Sequence, residues 1–263
     1  MTSARLLPPV IRIFLMSLIK SPDDQALIRK AGHYLAEVLE AARPLAIPGA
    51  VLLDIDKSIH DHIVRLGCRP SFLGFDGFPK SSCLSVNEQV VHGIPSDRVL
   101  KEGDILGIDV GLWYGQVCVD AAITVPVGKV APETARLLAV TQEALKAGIA
   151  AIKPFRRVGS ISAAVQAVAE RENLGIVRAL TGHGVGHHVH ESPEVPNIGR
   201  IGDGALLRPG MVLAIEPMLT LGGGDVETEV DGWGIITADK SLSAQFEHTV
   251  IITQKGAEVV TKI

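Results

Sequence analysis

The sequence of 263 residues lacks several features that would place it in a specialised class. It has only three cysteines, Cys68, Cys83 and Cys118, and no C-x-x-C pair. This argues against a disulfide framework and favours a reducing compartment. It has no basic block, and its formal net charge is −4, so the composition does not predict nucleic-acid binding. No low-complexity linker divides the chain, and we expect one large domain.

Long apolar runs are also missing. The stretch 10–19 is apolar, but Arg12 interrupts it, and it is too short to cross a bilayer. A polar segment beginning at Lys20 follows it in place of a small-residue cleavage site. We interpret residues 1–15 as an N-terminal extension, or as sequence upstream of an internal start at Met16, and residues 16–263 as a single domain. We expect the protein to be cytoplasmic and to have no membrane partner.

The order of elements predicts an α+β domain. Ser21-Pro22 is a strong helix start, and this helix should end at Arg43-Pro44. Pro48-Gly49 should open a second helix that Gly67 stops. The remaining pattern predicts helices over 132–152 and 158–173 and strands over 85–91, 211–219, 226–236, 244–252 and 258–263. Helices followed by strands, twice over, indicate two similar halves.

Two acids stand out in the apolar stretch 108–120. The stretch predicts two strands around a turn at Tyr114-Gly115, which would place Asp109 directly across from Asp120. Like charges so placed repel each other, and strand interiors disfavour Asp, so a bound cation would account for both. On this stretch alone, an exposed hairpin with two solvated acids is an equal alternative. A bulge near Gly111 would change the register.

Three further residues carry polar groups at unusual places. His183 is flanked by glycines in T-G-H-G-V-G-H-H-V-H-E, and glycines let the backbone approach a metal or a substrate. Glu216 and Glu247 fall inside predicted strands, where an unpaired carboxylate is costly. Any one of them could be an ordinary edge-strand or loop residue. We expect His187 and His188 to be surface residues.

The count of charges favours two cations. Four carboxylates carry −4, and a single divalent ion would leave −2 in an enclosed site. Two metals bridged by carboxylates are a recurring hydrolytic device. Oxygen ligands with one imidazole suit Co, Mn, Fe(II) or Zn, and no H-E-x-x-H motif is present.

Taken in order, the Asp, Asp, His, Glu, Glu set resembles the metal ligands of type I methionine aminopeptidases, in peptidase family M24. The similarity extends from about residue 16 to the C-terminus. It rests on the motifs G-F-P-K-S-S-C at 77–83, S-V-N-E at 85–88, H-G-I-P at 92–95, I-D-V at 108–110, G-H-G-V-G at 182–186, H-E at 190–191, I-E-P-M at 215–218 and S-A-Q-F-E-H-T at 243–249. The resemblance implies the pita-bread fold, two pseudo-symmetric halves with a central curved antiparallel sheet covered by helices.

The resemblance also implies a role for each metal ligand. Asp109 would chelate one metal. His183 and Glu216 would bind the other. Asp120 and Glu247 would bridge the two.

Further residues would act on the substrate. By the same resemblance, His92 and His190 would hydrogen-bond the scissile peptide and the developing oxyanion. Glu216 would help to carry a proton from the attacking water to the leaving amine. The methionine pocket would be formed by Phe75, Phe78, Cys83 and Trp233.

The function implied is metal-dependent removal of the N-terminal methionine from nascent proteins and peptides whose second residue is small. A water or hydroxide on two divalent metals would attack the scissile carbonyl. We expect a monomer acting on nascent N-termini near the ribosome exit. Two alternatives stay open: an enzyme like prolidase or aminopeptidase P, and a non-catalytic binding protein of the same fold.

The sequence departs from the family at three kinds of position. Val189 stands where Phe is usual, and Ile123 where a basic residue is common. Phe75 and Phe78 lack the hydroxyl that Tyr would offer. We hypothesise that Phe72 fills part of the space that Val189 leaves.

Overall fold

The computed structural model describes residues 18–262 and has the predicted α+β composition. The predicted extension, residues 1–15, lies outside the described residues. The helices are α1 (Pro22–Ala42), α2 (Leu52–Arg65), α3 (Pro132–Ala150) and α4 (Gly159–Arg171). The strands are β1 (Arg69–Pro70), β2 (Cys83–Val86), β3 (Gln89–Val91), β4 (Ile105–Tyr114), β5 (Val117–Pro126), β6 (Gly175–Ile176), β7 (Thr181–Gly184), β8 (Glu191–Pro196), β9 (Val212–Ile215), β10 (Met218–Thr220), β11 (Val226–Thr228), β12 (Ile235–Thr237), β13 (Ser243–Gln245), β14 (His248–Thr253) and β15 (Gly256–Val259). Within residues 18–262, no helix is long and apolar enough to cross a membrane.

The first helix begins and ends as the sequence predicts. The Ser21 hydroxyl accepts the Asp24 N–H at 3.1 Å and caps α1. The helix ends at Ala42 and passes into a short 3₁₀ turn, Arg43–Leu45. The second helix begins later than predicted, at Leu52. Gly49 has φ +91°, so Pro48-Gly49 forms a turn before the helix instead of its first residues.

Within residues 18–262, all strand pairs are antiparallel, and the strands form four sheets. Their orders are β1-β4-β2 with β5 on β4, β13-β10-β6, β11-β12-β3, and β15-β14-β9-β7-β8. The helix α1 packs against β4 and β5, while α3 packs against α4. The main core lies between the helices and the sheets, where the periodic apolar side chains of α1 and α2 are buried. This burial supplies the main stabilising contribution, roughly 1.5–3 kcal/mol for each large aliphatic side chain.

The predicted strand over 85–91 is in fact two strands. A turn at Asn87-Glu88 separates β2 from β3, and Asn87 has φ +61°. The Asn87 amide donates to the Asp104 carboxylate at 2.9 Å and accepts the Ile105 N–H at 3.0 Å. This turn therefore fixes the start of β4, the strand that carries Asp109.

The register of the β4–β5 hairpin differs from the prediction. Its loop is Gly115-Gln116, because Tyr114 pairs with Val117. Gly115 has φ +59°, as the first central residue of a two-residue hairpin turn requires. Asp109 therefore lies opposite Ala122, two residues from the predicted partner. The pairing is continuous from Ile105 to Tyr114, so there is no bulge at Gly111.

Candidate metal centre

The corrected register still places the two aspartates on one face of the hairpin. Asp120 lies opposite Gly111, diagonal to Asp109. A shift of two residues preserves the face of the sheet, whereas a shift of one would reverse it. The two carboxyl groups come within hydrogen-bonding reach of each other. Both residues are buried, which rules out the alternative of two solvated acids.

The sequence pattern indicates that Glu216 and Glu247 lie inside strands. In the structure, both lie in breaks between strands. The first break separates β9 from β10, and the second separates β13 from β14. Pro217 has no N–H for the ladder, which explains the first break. Ile215 pairs with His248 before the break, and Met218 pairs with Gln245 in the same register beyond it. The interrupted ladder therefore places the two glutamates opposite each other, where like charges are unfavourable.

His183 completes the cluster from β7. Its Nδ1 lies 2.9 Å from the Gly184 carbonyl oxygen, so Nδ1 carries the proton and Nε2 keeps its lone pair for a metal. Nε2 lies 3.5 Å from Oε1 of Glu216. Ligand atoms of Asp120, His183 and Glu247 all lie within 4.8 Å of one another. This spacing allows one ion to contact all three.

Buried carboxylate oxygens without partners test whether a metal fits this cluster. Within residues 18–262, Oδ1 of Asp109, Oδ1 of Asp120 and Oε1 of Glu247 are buried and have no hydrogen-bond partner. Such atoms are costly in a folded protein. Oxygen ligands with one imidazole are the donor set of Mn, Fe(II), Co and Zn sites. The residues present therefore fit divalent metal.

The metal-free cluster holds protons. Burial raises the pKa of Asp120 to about 7. Burial, and then the neighbouring carboxylates, raise the pKa of Asp109 and of Glu247 well above the ordinary range. Burial lowers the pKa of His183 to about 4, so this imidazole is neutral and able to ligate. Metal binding must displace the carboxyl protons.

Two more histidines stand beside the cluster. The ring of His190 packs edge-on to that of His183, with 4.5 Å between centroids. The His190 ring also packs edge-on to the Phe75 ring, with 5.4 Å between centroids. Burial lowers the pKa of His190, and burial followed by His190 lowers that of His92. Both are therefore neutral imidazoles. His190 is exposed at the wall of the site, where its ring contacts those of His183 and Phe75.

One cavity of about 600 Å³ brings all the predicted site residues together. They are Asp109, Asp120, His183, Glu216, Glu247, His92, His190, Phe75, Phe78, Cys83 and Trp233. Phe78 and Trp233 pack edge-on at 5.2 Å. The backbone N–H of Trp233 donates to the Asp231 carboxylate at 2.8 Å, which fixes the loop that carries the indole. Phe72 and Val189 line the same cavity.

The Cys83 side chain serves as a cavity wall. Burial, followed by the charge of Asp109, raises the pKa of its thiol well above the ordinary value. A neutral thiol is a poor nucleophile. It suits contact with an apolar or thioether side chain instead.

Two residues that support the metal ligands, Gln245 and Thr249, were not predicted to be site residues. The Gln245 amide donates to Oε2 of Glu216 at 3.1 Å. Thr249 accepts the N–H of Asp120 at 3.0 Å and donates to its carbonyl at 2.7 Å. Both lie in the motif that contains Glu247, two residues to either side of it, and polar residues at this alternate spacing would have been the signal.

His187 and His188 are exposed, as predicted. Their backbone N–H groups both donate to the Glu191 carboxylate.

Comparison with known proteins decides the family of the chain. The model of metallopeptidase family M24 matches residues 26–254. The chain belongs to metallopeptidase family M24. It is 41% identical to methionine aminopeptidase 1 of Bacillus subtilis, over 94% of this chain and 100% of that protein. It is 44% identical to the methionine aminopeptidase of Treponema pallidum, over 94% of this chain and 97% of that protein.

Solved structures confirm the predicted pita-bread fold. The methionine aminopeptidase of Thermotoga maritima superimposes with a TM-score of 0.92 at 41% identity, over 93% of this chain and 99% of that one. The prolidase of Pyrococcus furiosus superimposes with a TM-score of 0.76 at 23% identity, over 96% of this chain and 68% of the prolidase. The prolidase likeness shows the shared fold alone. Membership of the M24 family confirms that the chain is a metallopeptidase and that its cofactor is divalent metal of undetermined identity.

Proposed function

We propose that this M24 metallopeptidase removes the N-terminal methionine from peptides and proteins whose second residue is small. The observation that carries the proposal is the single cavity in which the carboxylate cluster, two neutral histidines and an apolar aromatic wall meet. Full-length relatives named methionine aminopeptidase support it. An enzyme like prolidase is disfavoured, because the chain shares the fold of the Pyrococcus furiosus prolidase but is only 23% identical to it in sequence.

The cluster would hold two divalent ions. Asp109 would bind one ion, and His183 with Glu216 the other. Asp120 and Glu247 would bridge them, in keeping with the three ligand atoms that lie within 4.8 Å. When bound, the metals lower the pKa of a water and polarise the substrate carbonyl.

The histidines would act on the reacting peptide. A neutral imidazole can donate one hydrogen bond and accept another. His190, whose ring contacts those of His183 and Phe75, would donate to the oxygen on which charge develops, an interaction that strengthens in the transition state. His92 would hydrogen-bond the scissile amide.

Glu216 would move the proton. Its carboxylate is held by Gln245 at 3.1 Å and faces His183 at 3.5 Å. It would take a proton from the attacking water and deliver it to the leaving amine.

The aromatic wall would receive the methionine side chain. Phe75, Phe78, Trp233 and the neutral thiol of Cys83 offer an apolar surface. A flexible thioether fills irregular apolar space well and makes favourable contacts with aromatic rings. In this proposal the enzyme acts as a monomer in the cytoplasm, on nascent N-termini near the ribosome exit.

Initial rates of release from a small set of peptides test the proposal. With Mn²⁺ or Co²⁺ present, Met-Ala-Ser should lose methionine much faster than Leu-Ala-Ser loses leucine. Met-Trp-Ser should react slowly, because its second side chain is large. Ala-Pro should be inert. Preferential cleavage of Ala-Pro would replace the proposal with a prolidase activity.

A further inference from the structure

A buried lysine outside the metal cluster contacts the loop that carries His190. Lys20 is 1% exposed, and its Nζ lies 2.5 Å from Oε2 of Glu191. Its backbone is fixed on both sides. The Lys20 N–H donates to the Gly210 carbonyl at 2.8 Å, and the Gln25 amide donates to the Lys20 carbonyl at 2.8 Å. The ammonium group is therefore presented from a rigid segment.

The Glu191 carboxylate organises the loop that joins β7 to β8. Its Oε1 accepts the backbone N–H groups of His187 at 2.5 Å and of His188 at 2.9 Å. Its own backbone pairs with Gly184 at the end of β7. One carboxylate thus closes the loop, and Lys20 neutralises its charge.

The lysine stem also packs directly on this loop. A Cβ placed on Gly186 would lie 2.4 Å from Cε of Lys20, so a larger residue there would have to displace the lysine stem. The Gly186 carbonyl also accepts the Cys118 N–H of β5 at 2.6 Å. The loop is held between Lys20 and the strand that carries Asp120.

We propose that Lys20, acting through Glu191, is a positioning residue that fixes His190 against His183 and the substrate carbonyl. The inference rests on the proposed function, in which His190 donates a hydrogen bond to the developing oxyanion. Without the ammonium group, the Glu191 carboxylate, whose side chain is only 10% exposed, would carry an uncompensated charge, and the loop would open as that carboxylate turned toward water. His190 is the residue next to Glu191, so it moves with that opening.

Replacing the ammonium group tests the proposal. The variant Lys20→Met keeps most of the stem and removes the charge. It should lower kcat for Met-Ala-Ser by roughly 10- to 100-fold, because a displacement of about 1 Å costs that much in a positioned site. KM and bound metal should stay near the wild-type values, and Lys20→Arg should recover part of the rate. The control is Arg29→Met, which removes an exposed cation of α1 paired with Glu258 and should leave kcat unchanged.

A double-mutant cycle with His190→Ala separates positioning from general loss of structure. If Lys20 acts through His190, then Lys20→Met should change the residual kcat of His190→Ala by less than about twofold, because coupled residues are not additive. Equal losses in both backgrounds would overturn the proposal. If Lys20→Met does not fold, Lys20→Met/Glu191→Gln takes its place, since removing both charges leaves no unpaired ion. That pair should fold and should show the same dependence on His190.

The wild-type rate distinguishes failure of the proposed function from failure of the proposed role of Lys20. A metal-loaded wild-type enzyme that releases no methionine would contradict the proposed function. An active wild type with equal kcat in Lys20→Met would overturn only the role of Lys20.

Discussion

Replacing Asp120 by Asn should stabilise the metal-free protein while destroying the metal site. Without metal, the buried Asp120 carboxyl has a pKa of about 7, raised by burial from the ordinary 3.8. The folded state therefore holds a proton that the unfolded chain has lost between about pH 4 and pH 7. The metal-free protein loses stability as pH rises through that window, because its unfolded state binds fewer protons than its folded state. Asn has the same shape and does not titrate.

The pKa difference sets the size of the effect. A span from 3.8 to about 7 corresponds to about 4 kcal/mol. At pH 8 the metal-free Asp120→Asn variant should gain that amount relative to the metal-free wild type. For a chain of this length, 4 kcal/mol shifts Tm by roughly 8 °C. At pH 4 the gain should nearly vanish, because the carboxyl is then protonated in the folded state and about half protonated in the unfolded state.

Thermal unfolding followed by circular dichroism checks this in four conditions, at pH 4 and pH 8 with EDTA or with Mn²⁺. With Mn²⁺ at pH 8 the order should reverse, because bound metal stabilises only the protein that can hold it. Asp97→Asn, which changes an exposed acid, should behave like the wild type throughout. A metal-free Asp120→Asn variant that melts no higher than the wild type at pH 8 would refute the reasoning.

Three further substitutions examine the surroundings of the site. Gln245→Leu removes the donor to Glu216 and should weaken Mn²⁺ binding about 10- to 100-fold in equilibrium dialysis; unchanged affinity would count against Gln245 as a support. Thr249→Val removes both hydrogen bonds to the Asp120 backbone and should lower the free energy of unfolding in urea by about 1–3 kcal/mol. A loss below about 0.5 kcal/mol would contradict that role. Val189→Phe narrows the cavity and should reduce kcat/KM for Leu-Ala-Ser more than for Met-Ala-Ser, because the thioether is the more flexible side chain. Unchanged selectivity would show that this position does not shape the pocket.

The sequence predicted the faces of the hairpin correctly and its register wrongly. The alternation of side chains sets which residues share a face, and Asp109 and Asp120 share one. The exact pairing depends on the turn, and either Tyr114-Gly115 or Gly115-Gln116 could form it. In the Gly115-Gln116 turn, Gly115 is the first central residue, a position that requires the positive φ that glycine readily adopts. Local composition alone does not decide between these turns.

The breaks at Glu216 and Glu247 were also missed. Glu216 ends the apolar run 212–215 and Glu247 lies within the stretch 244–252, and both stretches read as continuous strands. Pro217 was a signal for the first break, since proline cannot donate to a central ladder. The second break lies opposite the first across the sheet, as the pairing of His248 with Ile215 and of Met218 with Gln245 shows. Long-range pairing of this kind is invisible in a local pattern.

The residues that support the site from outside the metal cluster were the hardest to foresee. Lys20 precedes the first helix, and its sequence position offers no sign that it reaches Glu191, 171 residues away. Burial of a lysine follows from tertiary packing. By contrast, the metal ligands were predictable because each places a carboxylate or an imidazole where packing alone would disfavour it.

Metal content measured together with methionine release tests the central claim most directly. The EDTA-treated protein would be titrated with Mn²⁺, bound metal determined by equilibrium dialysis, and methionine release from Met-Ala-Ser recorded at each step. We predict negligible release without metal, activity that rises with occupancy, and two ions per chain at saturation. Full release by the metal-free protein, or saturation of activity with no ion bound, would contradict a metallopeptidase centre built from Asp109, Asp120, His183, Glu216 and Glu247.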